Sequence, residues 1–416
     1  MATISENLIA LNETKQNIKT AIEGKGQDLT GVPFTQYADK IEAIQAGGGE
    51  DIGTGKYRCL AIDYDGTILK EKWLNAGDTF ELPNAPSHEG LIFQEWSGNV
   101  ENTNNNITID HDVMFGAIYT TSSGLSEFDI ILTKATGLSV TLNMGGTKNW
   151  GDGTSDTSNT HIYSNYGEYK ITCDGTSMTT SDSNGLFGQT SSSPNYYCKK
   201  IHFAEISGFG NYSLQYCHSL FNITIANSSV RTTGAYMFNN CFSLKALVFP
   251  TSMTAIASHT INNCYCLEFL VLSFQQKNLP QYSIGYCYSL KYFSPPEYTQ
   301  IQDYSFSDCY VLDRIVISKN STKIASNYYK NYSIQEVEIP SSITSIGNAF
   351  RNCYSIMKYD FSHHAAVPSL TSASAFTAIN KACKIIVPDA LYDQWITTTN
   401  WTAISANIYK ASEMEV

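Results

Sequence analysis

Charge is what this 416-residue chain has least of: Asp, Glu, Lys and Arg together make up 15% of it, against about 25% in ordinary globular domains. No run of 18 apolar residues occurs, which excludes a helical membrane span. No basic stretch followed by an apolar core stands at Met1 to Lys15, so Sec-type export is not expected. The formal charge of −12 argues against nucleic acid as the main partner. There is no CxxC pair at zinc spacing, since Cys264-x-Cys266 is too tight, and no Ser-His-Asp arrangement, phosphate loop or HExxH helix. No catalytic residue, metal ligand or cofactor is therefore expected, and a structural or binding protein remains.

Ser, Thr, Asn and aromatic residues stand where the charges are missing, with 27 Tyr and 19 Phe. Aromatics this frequent bury enough area to offset chain entropy, so the composition is not that of a disordered protein. Eleven cysteines, an odd number without an export signal, read as reduced thiols. The charge is also uneven. Residues 1–195 hold 11 basic against 25 acidic residues and 196–391 hold 14 against 10, which predicts a domain boundary near 195.

Residues 1–46 read as a helical attachment or oligomerisation segment. Ile4, Leu8, Leu11, Ile18 and Ile22 form a seam at three- and four-residue steps over 4–23, with Lys15 breaking it. Gly24 and Gly26 stop that helix, and Pro33 opens a second, with Phe34, Tyr37, Ala38, Ile41 and Ile44 on one stripe. A helical hairpin closed on itself and a dimer or trimer seam are equally compatible with this pattern. Residues 47–55, with Gly47-Gly48-Gly49, form a linker. The stretch from Gly24 to Ile44 resembles short N-terminal modules of structural proteins from tailed bacteriophages.

Residues 56–120 alternate as short strands, with a turn at Asp63-Tyr64-Asp65-Gly66, then Gly77-Asp78, Pro83, Pro86, Gly90, Phe93 and Trp96. This order resembles the Listeria–Bacteroides repeat, a β-grasp-like module that implies a spacer or adhesive unit without chemistry. Leu60 to Thr67 also fits the first motif of haloacid-dehalogenase-type phosphatases. No crossover helix follows to build the parallel sheet such an enzyme needs, so the turn accounts for the motif. In residues 121–195, Trp150-Gly151-Asp152-Gly153-Thr154, His161-Ile162-Tyr163 and Gly167 to Thr172 resemble a PKD-type immunoglobulin-like sandwich. There Asp152 is expected to cap turn amides.

Fixed periods dominate residues 196–388. Cys217, Cys241, Cys264, Cys287, Cys309, Asn331 and Cys353 recur every 22 to 24 residues. Three residues earlier stand Leu214, Phe238, Ile261, Ile284, Phe306, Tyr328 and Phe350; three later, Leu220, Leu244, Leu267, Leu290, Leu312, Ile334 and Ile356; six later, Ile223, Leu247, Leu270, Phe293, Ile315, Val337 and Tyr359. Registered columns of this kind predict a solenoid with one short strand per turn and a continuous core. The phrases Asn240 to Leu244 and Ile339 to Phe350 resemble BspA-like leucine-rich repeats. Ile201-His202-Phe203 reads as an incomplete first turn, residues 389–416 with Trp395 and Trp401 as a C-terminal cap, and His363-His364 as a surface turn. The resemblance implies that the Cys/Asn column points inward and binds loop backbone.

A further column, His218, Phe242, Tyr265, Tyr288, Tyr310, Tyr332 and Tyr354, follows directly after the Cys/Asn position. These rings either stack on one another or offer a ligand-facing surface to sugars, and both are possible at once. The fold expected is multidomain and mainly β: a helical segment, a β-grasp-like module, an immunoglobulin-like β-sandwich and a leucine-rich-repeat solenoid. Adhesive modules without an export signal suggest a bacteriophage head or tail fibre subunit located in the virion. It would attach to other virion proteins through its N-terminus, assemble as a homodimer or homotrimer, and meet a host glycan or protein. The alternatives are a bacterial leucine-rich-repeat surface or interaction protein and a purely architectural virion component.

Overall fold

The computed structural model describes residues 56–414, apart from 179–184, 228, 297–299, 316, 318 and 327–330. The seam Ile4, Leu8, Leu11, Ile18 and Ile22, the second helix and the glycine linker lie outside the described residues.

The first unit is a four-stranded sheet in the order Ile68–Asn75, Lys56–Ile62, Val113–Thr121, Leu91–Gly98, its two middle strands parallel and its outer pairs antiparallel. Its first hairpin closes where the turn is expected. The Asp63 N–H donates to the Thr67 carbonyl, the Gly66 N–H to the Asp63 carbonyl, and Gly66 takes φ +88°, a value glycine adopts without steric cost. One face of the sheet packs Cys59, Ala61, Trp96, Phe115, Ala117 and Tyr119 into a core of its own. The other face does not meet water. Leu60, Ile62, Met114 and Ile118 pack on Ala246, Val248, Phe269 and Val271 of the repeat region. That explains why the strand Val113–Thr121 is apolar almost throughout instead of alternating. The approach is close at Gly116, where a Cβ would lie 2.6 Å from both Val248 methyl groups.

Charge closes the same contact. Arg314 Nε lies 3.1 Å from Asp112 Oδ2, the Arg58 N–H donates to Asp112 Oδ1 at 2.8 Å, and the Arg58 guanidinium pairs with Asp313. Burial pushes the Asp112 carboxyl upward in spite of the two arginines. The guanidinium of Arg58 also lies over the Tyr292 ring and that of Arg314 over Trp73.

Residues 121–195 carry the expected turn. Trp150 is buried, its backbone N–H donates to the Thr154 carbonyl, and Asp152 Oδ1 accepts from the Thr154 N–H and hydroxyl. Asp152 Oδ2 meets His161 at 2.7 Å, while Asp156 accepts from the Trp150 indole. The strand Ser126–Leu132 pairs antiparallel with Gly167–Cys173 on one side and with Cys198–Phe203 on the other, and the latter pairs parallel with Asn222–Ile225. One six-stranded sheet thus runs from residues 121–195 into the solenoid. A single core continues from Phe128 to Ile408.

The repeats stack as parallel strands. Leu247, Leu270 and Phe293 stand in register on one sheet, and Ile261, Ile284 and Phe306 on another. All the Cys/Asn column is buried. Cys241 donates through Sγ to the Leu214 carbonyl and Cys264 to that of Phe238. Asn331 does the same work with an amide: Nδ2 donates to the Cys309 carbonyl at 2.8 Å and Oδ1 accepts from the Ile334 N–H at 3.0 Å. Asn195, one turn before Cys217, repeats the accepting half of that motif by taking the Cys198 N–H, and it bridges in parallel to Cys217. The first turn therefore begins at Asn195 and is more complete than Ile201 to Phe203 suggested. At the far end Lys384–Val387 and Ile408–Lys410 extend the sheet, and Trp395 and Trp401 close the core over Phe361 and Phe376. His364, expected on a surface turn, is buried there, with Nε2 3.1 Å from the Ile339 carbonyl.

Three predictions follow from this packing. Gly116→Val should prise residues 56–120 off the solenoid, splitting one calorimetric unfolding transition into two; an unsplit transition at the parent temperature would show that Gly116 does not set the contact. Of the eleven thiols only Cys266 is exposed, and burial pushes those of Cys59, Cys353 and Cys383 up to about 12. A thiol reagent at pH 8 should therefore label one site fast and ten slowly. In the same column Cys309→Asn should cost little, as Asn331 shows, whereas Cys309→Asp should cost about 3–5 kcal/mol for an unpaired buried charge, measurable by denaturant unfolding.

Candidate functional site

The solenoid bends at residues with left-handed backbone. One set directly precedes the Cys/Asn column: Tyr216, Asn240, Asn263, Tyr286, Asp308 and Asn352, with φ between 53° and 63°. A second set stands five residues before the column: Tyr212, Tyr236, His259, Tyr282 and Tyr304, with φ between 56° and 62°. For a residue other than glycine or asparagine this geometry costs roughly 1–2 kcal/mol. Neighbouring turns offset it. The N–H of Tyr216, Asn240, Asn263 and Tyr286 each donates to a carbonyl of the following turn at 2.8–2.9 Å.

The same bends align the rings. His218, Phe242, Tyr265, Tyr288, Tyr310, Tyr332 and Tyr354 form one ladder, with successive centroids 4.1, 4.8, 4.9, 4.9, 5.3 and 6.0 Å apart. Between Phe242 and Tyr310 the planes differ by no more than 6°. Tyr196 meets the ladder edge-on at its start. The rings stack on one another, as one of the two expectations had it: each face lies against the next ring, so the column offers edges and phenol hydroxyls. Tyr332 and Tyr354 are about half exposed, at 49% and 50%.

A second ladder went unread in the sequence. Tyr212, Tyr236, His259, Tyr282 and Tyr304 stack at 5.1, 4.6, 5.2 and 5.3 Å. Its signal was present, since these rings keep the same period as the cysteines. Burial pushes the imidazoles of His218 and His259 below their ordinary value, favouring their neutral form.

Charge gathers elsewhere. An open cleft of about 720 Å³ lies where residues 121–195 join the solenoid, lined by Asp129, Glu168, Lys170, Lys199, Lys200 and Phe221 among others. Its cations have local partners: Lys170 pairs with Glu127 at 3.0 Å, Lys199 donates to the Tyr196 carbonyl, and Lys200 lies over Phe221. The phosphatase-like Asp63 is buried in its turn, accepting from the Tyr64 N–H and lying 2.7 Å from His88 Nε2. Among the described residues no three His, Cys, Asp or Glu side chains group as metal ligands.

Two solved structures are similar to parts of the chain. A leucine-rich repeat protein from Bacteroides ovatus is 17% identical, with 61% of this chain and 78% of that one covered at a TM-score of 0.36. A leucine rich cell surface protein from Faecalibacterium prausnitzii is 16% identical, with 48% and 73% covered at 0.23. No curated protein matches the chain. The sequence matches the BspA type leucine rich repeat region in six copies over residues 176–291 and 277–393, more than half of its length and the same stretch in which the cysteine column and both ladders stack. The chain belongs to the BspA-type leucine-rich repeat family.

Proposed function

We propose that this chain is a bacterial leucine-rich-repeat surface or interaction protein that binds a macromolecular partner through the flank of its solenoid, without catalysis. Family membership supports the bacterial reading over the virion fibre. The fibre reading rested on adhesive modules without an export signal, and on the resemblance of residues 24–44, which lie outside the described residues. One observation carries the binding reading. The sheet face bearing Ala246, Val248, Phe269 and Val271 is sealed by residues 56–120, whereas the flank bearing the ladders carries exposed Tyr265, Tyr282, Tyr286, Tyr332 and Tyr354. A solenoid flank of equivalent, regularly spaced groups is the kind of extended surface repeat proteins use for binding.

The ladder has a structural share that the test must separate. Replacing Tyr288, Tyr310 and Tyr332 by Ser breaks four ring stacks, at about 0.5–1.5 kcal/mol each, so a fall in melting temperature is expected. Replacing the same three by Phe keeps the stacks, as Phe242 already does, and removes only hydroxyls. Flow cytometry of labelled full chain on bacterial and epithelial cells should show saturable binding. The Phe variant should weaken it with its melting temperature within a few degrees of the parent. Full binding by a folded Phe variant would place the binding surface off this ladder.

A further inference from the structure

We propose that the strip between the two ladders, over residues 212–310, binds an uncharged linear glycan laid along the solenoid axis, about one sugar to each turn. This rests on the binding reading above and names its ligand class.

The first observation is the absence of charge where the rings are. The four windows 212–218, 236–242, 259–265 and 282–288 run from one ladder to the other and contain no Asp, Glu, Lys or Arg; window 304–310 adds Asp308 alone. A charged polymer would lose hydration there with no counter-charge in return, and nucleic acid would find no cation for its phosphates. A neutral polymer carries no such penalty.

The second is relief. Between the ladders Asn262, Gly285 and Ser307 stand in register on three parallel strands. Asn239 and Asn262 are only 6% and 7% exposed, while Tyr282 on the second ladder and Tyr286 within the strip rise to 39% and 41%, so a low floor of amide, glycine and hydroxyl runs beside raised tyrosines. Gly285 keeps that floor low. A Cβ there would come within 2.3 Å of Asn262 Oδ1, a buried acceptor that has no hydrogen-bond partner.

The third is the chemistry of the sides. With the ring faces taken up by stacking, the ladders present ring edges, which carry partial positive charge, and phenol groups that donate and accept. Hydroxyl and ring oxygens of a sugar are the complementary set. Because each turn repeats the arrangement at about 5 Å, close to the length of one sugar unit, a repeating chain meets an equivalent platform at every step. Individual contacts are modest, so affinity accumulates with chain length.

Isothermal titration of the full chain tests this with cellohexaose, mannohexaose, maltohexaose and chitohexaose, with their shorter homologues, and with hexagalacturonate as the charged control. The expected result is binding of at least one neutral series, tightening with each added sugar up to the hexamer, and none to hexagalacturonate. The double variant Tyr282→Asn/Tyr286→Asn should weaken that binding about tenfold. Asparagine tolerates left-handed backbone and already occupies the Tyr286 position at Asn240, Asn263 and Asn352, so the variant should stay folded by circular dichroism. Phe221→Ser, in the charged cleft, should change nothing. Failure of every neutral hexasaccharide to bind, preference for hexagalacturonate, or undiminished binding by the folded double variant would overturn the inference. Cell binding that survives periodate oxidation of the cell-surface glycans would also overturn it, while leaving the broader binding reading intact.

Discussion

Parallel strand pairing sets the dimension on which everything else in this protein depends. Strands about 4.8 Å apart force any side chain that recurs once per turn to lie directly above its predecessor. Inside, this favours apolar groups plus one small donor per turn, a role that a thiol or an amide fills equally well, as Cys264 and Asn331 show. Outside, it favours flat rings, because a spacing slightly wider than van der Waals contact suits offset aromatic stacking. A column of like charges would repel at the same distance. The scarcity of charge in this chain follows from the same constraint.

A solenoid cannot close itself, and the remaining units deal with its open surfaces. Ser126–Leu132 pairs with the first repeat strand, so the edge that would invite pairing with another chain is occupied. Trp395 and Trp401 cover the last turn. Residues 56–120 lie on one sheet face through Leu60, Ile62, Met114 and Ile118. Apolar contact and the Arg58, Asp112, Asp313 and Arg314 cluster work together there, each arginine having an acidic partner so that no charge is buried alone. Residues 56–120 are thereby an integral cover of the repeats.

What could be read from the sequence was whatever repeats. The Cys/Asn column and its apolar companions were legible because seven copies of a weak signal add up, and the Trp150 turn because five adjacent residues define it. Asn195 was missed because a first turn lacks a predecessor to register against. The second ladder was missed although its spacing was visible, because nothing in Tyr212 or Tyr282 announces a left-handed backbone, which belongs as a rule to Gly or Asn. The seating of Val113–Thr121 on Val248 was also illegible. An apolar strand states that both of its faces are covered, but not by which partner.

The ladder also shows how a structural solution can decide what a surface is able to recognise. A flat ring standing alone offers both faces to a ligand, yet the pitch that spaces these rings presses each face against the next. Stability and face-on recognition compete for the same atoms, and with planes within 6° from Phe242 to Tyr310, stability has taken them. Recognition is left with edges, hydroxyls and the small polar residues between the columns. Such a surface works by many weak, directional contacts in register, so the partner it suits is one that repeats as the solenoid does.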